Sequence, residues 1–339
     1  MPELTIHSAG PGVTVQDLGR AGWTAQGLSR GGAADRLAVL EAAALLQADT
    51  QLAVLEMMGA GGVFSVDMPT RIALTGAAMQ ASIDGTAVAP NTTHLLPAGA
   101  ELKIGGARQG VFGYLAFAGG IRTDPVMGSR ATHLTAGLGR VLATGDTLPL
   151  GADPAPDSTA ERLDVADRCS GGVIRLMPGP QTDLFDDATL AEFLATEFRR
   201  SPRGNRQGVR LDHDGAPFAA KGGLSVTSDL IVTGDVQLTG DGVPFVLLAE
   251  CQTIGGYPRI GSVIPADLPR VAQAAPGTSM QFEMLTLAQA DATAQSDHAI
   301  LRSLRAACQP LIRDPHDIAD LLGYQLIGGV TAGDDLESD

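Results

Sequence analysis

The sequence predicts a mostly β fold with a few helices, arranged as two β modules. Three observations carry this. Gly (43) and Pro (20) are plentiful while aromatics make up only 4% of the chain, which fits many turns and short elements. Short apolar runs punctuated by Gly, Pro and Asn recur through the first half at near-regular spacing, the rhythm of a barrel or sandwich. Between the halves, Leu150–Ser170 (LGADPAPDSTAERLDVADRCS) is rich in Pro, Asp and Ala without periodicity, which marks a linker or surface crossing. The expected divisions are a first β module at 1–150, a linker at 151–170, a second β module at 171–290, and a C-terminal helix with an acidic tail at 295–339.

In the first module the β-like runs include LTIHSA, GVTVQD, GVFSV, RIALTG, ELKIGG and VFGYLAFAGG. One helix interrupts them: in GAADRLAVLEAAALLQAD, Leu37, Leu40, Ala44 and Leu45 fall at helical spacing. The second module opens on GVIRLMPGPQTDLF, a strand and Gly-Pro turn like ELTIHSAGPG at the N-terminus. A short helix follows, with Asp183 or Asp187 as its expected cap. Further on, FVLLAEC and IGSVI read as two strands of a hairpin with Gly255-Gly256 as the turn. In HAILRSLRAACQPLIRD, Ile300, Leu301, Leu304 and Cys308 line one side of an amphipathic helix.

The formal net charge of −15 repels phosphate backbones and anionic lipid, arguing against nucleic-acid and membrane partners. No apolar stretch is long enough to span a bilayer and no secretory leader is read at the N-terminus, so a cytoplasmic setting is expected. Cys169, Cys251 and Cys308 are far apart and odd in number, which predicts free thiols. There is no P-loop, no G-x-S-x-G elbow and no H-E-x-x-H; the six histidines are isolated, and no metal site is read. Neither lysine, Lys103 or Lys221, sits in a Met-Lys-Met context, so biotin is not expected on this chain.

Polar clusters at strand–turn junctions carry the candidate chemistry. In VQDLGRAGW, Gln16, Asp17 and Arg20 surround a glycine turn; the Arg–carboxylate pair either holds that turn or leaves Arg20 to receive a substrate carboxylate through a forked contact. In SRGGAADR, Asp35 sits at a helix start, as an ordinary capping carboxylate or beside an anion site, roles that exclude one another at one spot. MGSRATHLTAGLGR contributes Arg130, Thr132, His133 and Arg140; SPRGNRQGVRLD contributes Arg203, Asn205, Arg206 and Arg210. ECQTIGGYPRIG contributes Gln252, Thr253, Gly255, Gly256, Tyr257 and Arg259, the glycines letting a ligand approach the backbone.

Taken in order, TVQDLGRAGW, GAAD, GSRATHL, NRQGVRL and QTIGGYPRIGSVI resemble the biotin-dependent carboxyltransferase family, whose members include allophanate hydrolase subunit 2, KipA proteins and the C subunit of ATP-dependent 5-oxoprolinase. The resemblance runs from about Leu4 to about Leu287. It implies two cyclophilin-like β-barrel subdomains, a KipI-like B subunit as partner and often a LamB/YcsF-like A subunit. It further implies a small amide substrate: 5-oxoproline opened to glutamate with ATP consumed in the complex, or urea carboxylated from carboxybiotin on a separate carrier. A third implied role is a non-enzymatic KipA-type regulator. On this basis Arg20 and Arg206 are expected to hold a carboxylate or phosphate, Gln252 and Thr253 to orient an amide, and Asp17 or Asp35 to carry protons. Gln16, Arg130, Asn205, Gly255, Gly256 and Tyr257 complete the expected cleft. The chain departs from the family pattern at Gly31, where a Ser is usual, at Val209, where a Tyr is usual, and at Glu250, where an Asp is common near the Gln-Thr pair.

Overall fold

The structure, a computed structural model, describes residues 2–311. The acidic tail lies outside the described residues.

The first module contains β1 (Glu3–Ala9), β2 (Thr14–Gln16), β3 (Val54–Met58), β4 (Ala60–Val66), β5 (Thr70–Ile83), β6 (Thr86–Ala87), β7 (Thr93–Leu96), β8 (Leu102–Phe117) and β9 (Thr147–Pro149). The order β2-β3-β8-β4-β1-β9, with β5 laid along β8, makes one curled half-barrel. β8 causes the curl: its Leu102–Gly106 half pairs with β4 and its Phe112–Leu115 half with β3. Leu4, Ile6, Phe64, Ile72, Leu102, Leu115 and Phe117 fill the inner face and are fully buried. Helix α1 (Arg36–Leu45) packs on β5 and β8, as the apolar spacing predicts.

After β10 (Glu161–Arg162), the second module forms a closed barrel. Its seven strands are β11 (Gly172–Met177), β12 (Phe198–Gly204), β13 (Gly208–Asp212), β15 (Asp235–Leu238), β16 (Pro244–Leu247), β18 (Arg259–Val263) and β19 (Ser279–Met284). Two short strands, β14 (Asp229–Leu230) and β17 (Ile254–Gly255), pair outside it as a ribbon. β11 and β19 run parallel and close the barrel. Helix α2 (Asp187–Ala195) sends Phe193 onto Phe198, Phe218 and Phe282. Burying each such ring is worth on the order of 2 kcal/mol. The cap of α2 is Asp186, between the two expected aspartates; its side chain accepts from Thr189 N–H.

The Gly255-Gly256 stretch is not a hairpin turn. β16 and β18 do not pair with each other: both flank β15, one on each side. Residues 248–258 instead form a long connection, and β17 within them pairs with β14. Neither Gly255 nor Gly256 adopts a positive φ, so neither supplies the left-handed conformation of a tight turn.

The 151–170 segment is pinned at two points. Arg71 forks onto Asp153 (2.7 and 2.6 Å), and Arg168 is buried against α1. Helices α3 (Leu268–Gln273), α4 (Leu287–Thr293) and α5 (Asp297–Ala307) follow, and β20 (Gln309–Pro310) returns to β10. On α5, Leu301 is buried and Ile300, Leu304 and Cys308 pack beside it, the stripe the sequence predicts. One apolar cluster runs through both modules, from Leu40, Phe112 and Tyr114 to Val236, Ile260 and Val271. No helix among the described residues is long and apolar enough to cross a membrane. All three cysteines are free.

Candidate functional site

The VQDLGR element leaves β2 and turns back under residues 126–133. Asp17 directs the turn. Its Oδ1 accepts from Gly19 N–H (2.7 Å) and Ser129 O–H (2.6 Å), and its Oδ2 accepts from Arg130 N–H (2.7 Å). Arg20 then lies along the carbonyls of this loop, donating from Nε to Val126 O (3.3 Å) and from Nη2 to Ala131 O (2.5 Å). Gln16 donates to Thr14 Oγ1 (3.0 Å) and Thr132 O (3.1 Å). Arg20 is 2% exposed, Gln16 0%. Among the described residues Arg20 makes no ion pair, and neither its Nη1 nor Gln16 Oε1 has a hydrogen-bond partner. An orphan donor and an orphan acceptor thus flank the Ala131–Thr132 carbonyls. Burial lowers the Arg20 pKa, with Asp17 and Glu250 opposing the shift.

Gly31 forms one wall. A β-carbon there would stand 3.7 Å from Arg20 Nη1 and 2.9 Å from His133 Cδ2, and its φ of 62° disfavours other residues. The departure at Gly31 therefore leaves space beside the free guanidinium nitrogen. His133, read from sequence as one more isolated histidine, is buried here. Its Nε2 lies 2.9 Å from Ser29 Oγ, and its Nδ1 accepts from Ala136 N–H (3.2 Å). A backbone N–H can only donate, so Nδ1 is bare and the ring proton is on Nε2, donating to Ser29. Ser29, His133 and Glu250 (3.9 Å from Nδ1) stand in a row, but this tautomer cannot take a proton from the serine. The row orients the Ser29 hydroxyl rather than making it a nucleophile. Burial lowers the His133 pKa, against the attraction of Glu250, and keeps the ring neutral.

Arg206 closes the floor and joins the modules. It donates from Nε to Glu250 Oε1 (2.7 Å), from Nη1 to Glu56 and from Nη2 to Gly32 O (2.6 Å). Burial alone would lower its pKa; Glu56 and Glu250 outweigh that and hold it above the ordinary arginine value. Every arm is occupied, so the carboxylates Arg206 holds are the protein's own, and the expected substrate contact is corrected to an internal one. Glu56 also accepts from Ala34 N–H and Tyr114 O–H, both at 2.8 Å. The departure at Glu250 puts a longer acid at the centre, bonded to Arg206 and to Thr135 (3.2 and 3.3 Å). Val209 faces the barrel core.

Asp35 caps α1, accepting from Ala38 N–H (3.1 Å), Arg168 Nε (2.7 Å) and Gln273 Nε2 (2.8 Å) at 0% exposure. Capping, the first of its two sequence readings, is what the geometry has. Asp17 and Asp35 are both occupied as anchors. Arg130 donates from Nε to Thr123 O (2.8 Å) and Asn205 is exposed in the 205–208 turn, accepting from Gln207 N–H (2.8 Å). Arg140 and Arg210 make surface ion pairs with Asp146 and Asp212.

The residues of the ECQTIGGYP stretch form a second group. Thr253 is buried, its Oγ1 4.0 Å from where a Gly27 β-carbon would be, so the ribbon touches the first module. Gln252 and Tyr257 are exposed beside it. Gly255 is buried against Gln237 and Ile231, and Gly256 O accepts from Val226 N–H. Arg259 is tied to Asp229, Asp235 and Gln181. Sequence motifs missed Ser29, Glu56, Tyr114, Arg168 and Gln273. The one signal available was an acid inside an apolar run, as at Glu56 in AVLEMM and Glu41 in AVLEAAALL.

Comparison with known proteins points to one family. The carboxyltransferase domain, subdomain A and B, matches residues 26–284. The C subunit of Escherichia coli 5-oxoprolinase is 36% identical over 85% of this chain and 93% of its own length. That of Haemophilus influenzae is 30% identical over 86% and 94%. Urea amidolyase of Saccharomyces cerevisiae is 26% identical, but the chain spans only 18% of its length. The solved structure of TTHA0988 superposes with a TM-score of 0.76 at 31% identity, covering 84% of this chain and 56% of that one. On motif, fold and relatives alike, the chain belongs to the carboxyltransferase domain family, subdomains A and B.

Proposed function

We propose that this chain is the C subunit of a 5-oxoprolinase-type complex, an amide hydrolase that opens the ring of 5-oxoproline to glutamate. Its two bacterial relatives, both named as the C subunit of 5-oxoprolinase, support the assignment. The observation that carries it in the structure is the pair of buried orphans, Arg20 Nη1 and Gln16 Oε1. A cyclic amide acid offers an N–H for the acceptor and carbonyl or carboxylate oxygens for the donor. An unpaired buried guanidinium favours an anionic oxygen strongly, because water is excluded around it. The Ser29 hydroxyl, held by His133, supplies a further donor from the same wall. Gln252, Thr253 and Tyr257 form the outer rim in this reading.

A single unpaired guanidinium suits one oxyanion and not a triphosphate, and Lys103 and Lys221 are both exposed. We therefore assign ATP to partner subunits, a KipI-like B subunit and a LamB/YcsF-like A subunit, and route no step of this chain's chemistry through it. The urea amidolyase relative favours a second reading, carboxyl transfer from biotin on a separate carrier.

The test is co-purification with both partner subunits and assay of 5-oxoproline-dependent ATP hydrolysis. Arg20→Met and Gln16→Leu are each expected to lower kcat/KM by about 10- to 100-fold, the cost of leaving a substrate polar group unpaired. Unchanged kcat/KM in both variants overturns the site. Carboxylation of an added biotin carrier, with no 5-oxoproline turnover, transfers the assignment to the second reading.

A further inference from the structure

Among the described residues six arginines are at least nine-tenths buried: Arg20, Arg71, Arg168, Arg200, Arg206 and Arg259. Four of them are ion-paired, to Asp153, to Asp35 and Glu41, to Glu56 and Glu250, and to Asp229 and Asp235. Arg20 belongs to the site already described. That leaves Arg200, on β12 of the closed barrel, 3% exposed. It has no carboxylate within ion-pairing distance among the described residues. Nη1 donates to Ser201 O at 3.3 Å, Nε has no partner, and Nη2 makes no hydrogen bond among those residues. Burial lowers its pKa and no neighbouring charge opposes the shift. An uncompensated cation in this setting is costly.

The free groups are not scattered. Nε and Nη2 form one edge of the guanidinium, the edge Arg175 uses in this same protein to grip Asp267 (2.9 and 2.6 Å). The backbone passes close beside that edge: β12 slips register between Arg200 and Gly204, and a β-carbon on Gly204 would stand 2.9 Å from Val209 Cγ1 and 3.1 Å from Arg200 Nη2, a spot that only glycine fits. We propose that the Nε/Nη2 edge of Arg200 binds a single small oxyanion that presents two oxygens, of the carboxylate, bicarbonate or phosphate kind. This site is separate from the Arg20 site and stands whether or not the activity proposed above is correct.

The experiment is thermal unfolding of the full chain during titration with acetate, bicarbonate or phosphate at constant ionic strength, with chloride as the balancing salt. Arg20→Met removes the first site from the readout. In that background at least one oxyanion is expected to raise Tm along a saturating curve, as ligand binding to the native state requires. Adding Arg200→Met is expected to abolish that response. Arg200→Lys, which keeps the charge and loses the fork, is expected to need about tenfold more anion. The three anions in separate arms identify the preferred class. A response to none of them beyond chloride in the Arg20→Met protein overturns the proposal. So does a response that survives Arg200→Met. If Arg200→Met fails to fold, Arg200→Lys decides: a titration matching that of the arginine protein overturns the fork.

Discussion

Arg168 reaches Asp35 at 2.7 Å across 133 residues of chain, and the other edge of its guanidinium grips Glu41 (2.7 and 2.6 Å). The segment between the modules thereby locks the start of α1, whose capping residue also holds Gln273 of α3. Removing one member of a buried ion pair leaves the other charge stranded. Arg168→Met is therefore expected to cost about 3–5 kcal/mol, measured by urea unfolding. Adding Glu41→Gln should recover part of that loss, because the buried carboxyl left without its guanidinium is replaced by a neutral amide. A single variant with near-native stability contradicts the assigned role.

The same cluster makes stability depend on pH. One guanidinium faces two buried carboxylates, and burial raises the Glu41 pKa to about 7, against the pull of Arg168. The folded state then holds a proton that the unfolded state releases at ordinary carboxylate pH. Stability from this group is fully present at low pH and declines as pH rises toward about 7. Between pH 5 and pH 8 the decline should be on the order of 2 kcal/mol and should flatten in Glu41→Gln. Denaturant melts of both proteins across that range check the sign. A wild-type protein that gains stability through this window while Glu41→Gln does not would falsify it.

His133 offers a spectroscopic prediction. The Ala136 N–H aimed at Nδ1 requires the Nε2–H tautomer, and burial keeps the ring neutral. Nitrogen-15 NMR at pH 7 should show a bare Nδ1 and a protonated Nε2. A protonated Nδ1 would restore a Ser-His-Glu relay and reverse the reading of Ser29.

Three glycines should rank by what a β-carbon meets. All have positive φ, which costs another residue roughly 1–2 kcal/mol. At Gly12 the β-carbon meets nothing within 4 Å. At Gly31 it meets the His133 ring at 2.9 Å, which can tilt. At Gly32 it meets Gly19 N at 2.5 Å and Asp17 O at 2.8 Å, both backbone. Alanine should be mildest at position 12, intermediate at 31, and close to unfolding at 32. Tm values in any other order contradict the packing around the Asp17 turn.

The β modules, α1, α5 and the Gln16–Arg20 element are legible in the sequence because each rests on local signals: periodicity, turn residues, or polar groups beside a glycine turn. The hairpin at Gly255-Gly256 is not formed because its two strands each find β15 first. Barrel closure is a long-range choice, and a turn-like dipeptide has no say in it. Arg206 reads from sequence as a ligand-holding arginine because its partners, Glu56 and Glu250, lie 150 and 44 residues away. His133 is indistinguishable from a surface histidine until the fold brings Ser29 and Ala136 to its two nitrogens.

The Arg206 bridge has a mechanical consequence. Its side chain starts on the barrel and ends on Gly32 O and Glu56 of the half-barrel, beneath the wall that holds Arg20. A hinge opening between the modules would strip the guanidinium of two of its three partners, Glu56 and Gly32 O, and leave the buried Glu56 without its cation. The bridge therefore sets a charge-unpairing cost against any clamshell motion of the two modules.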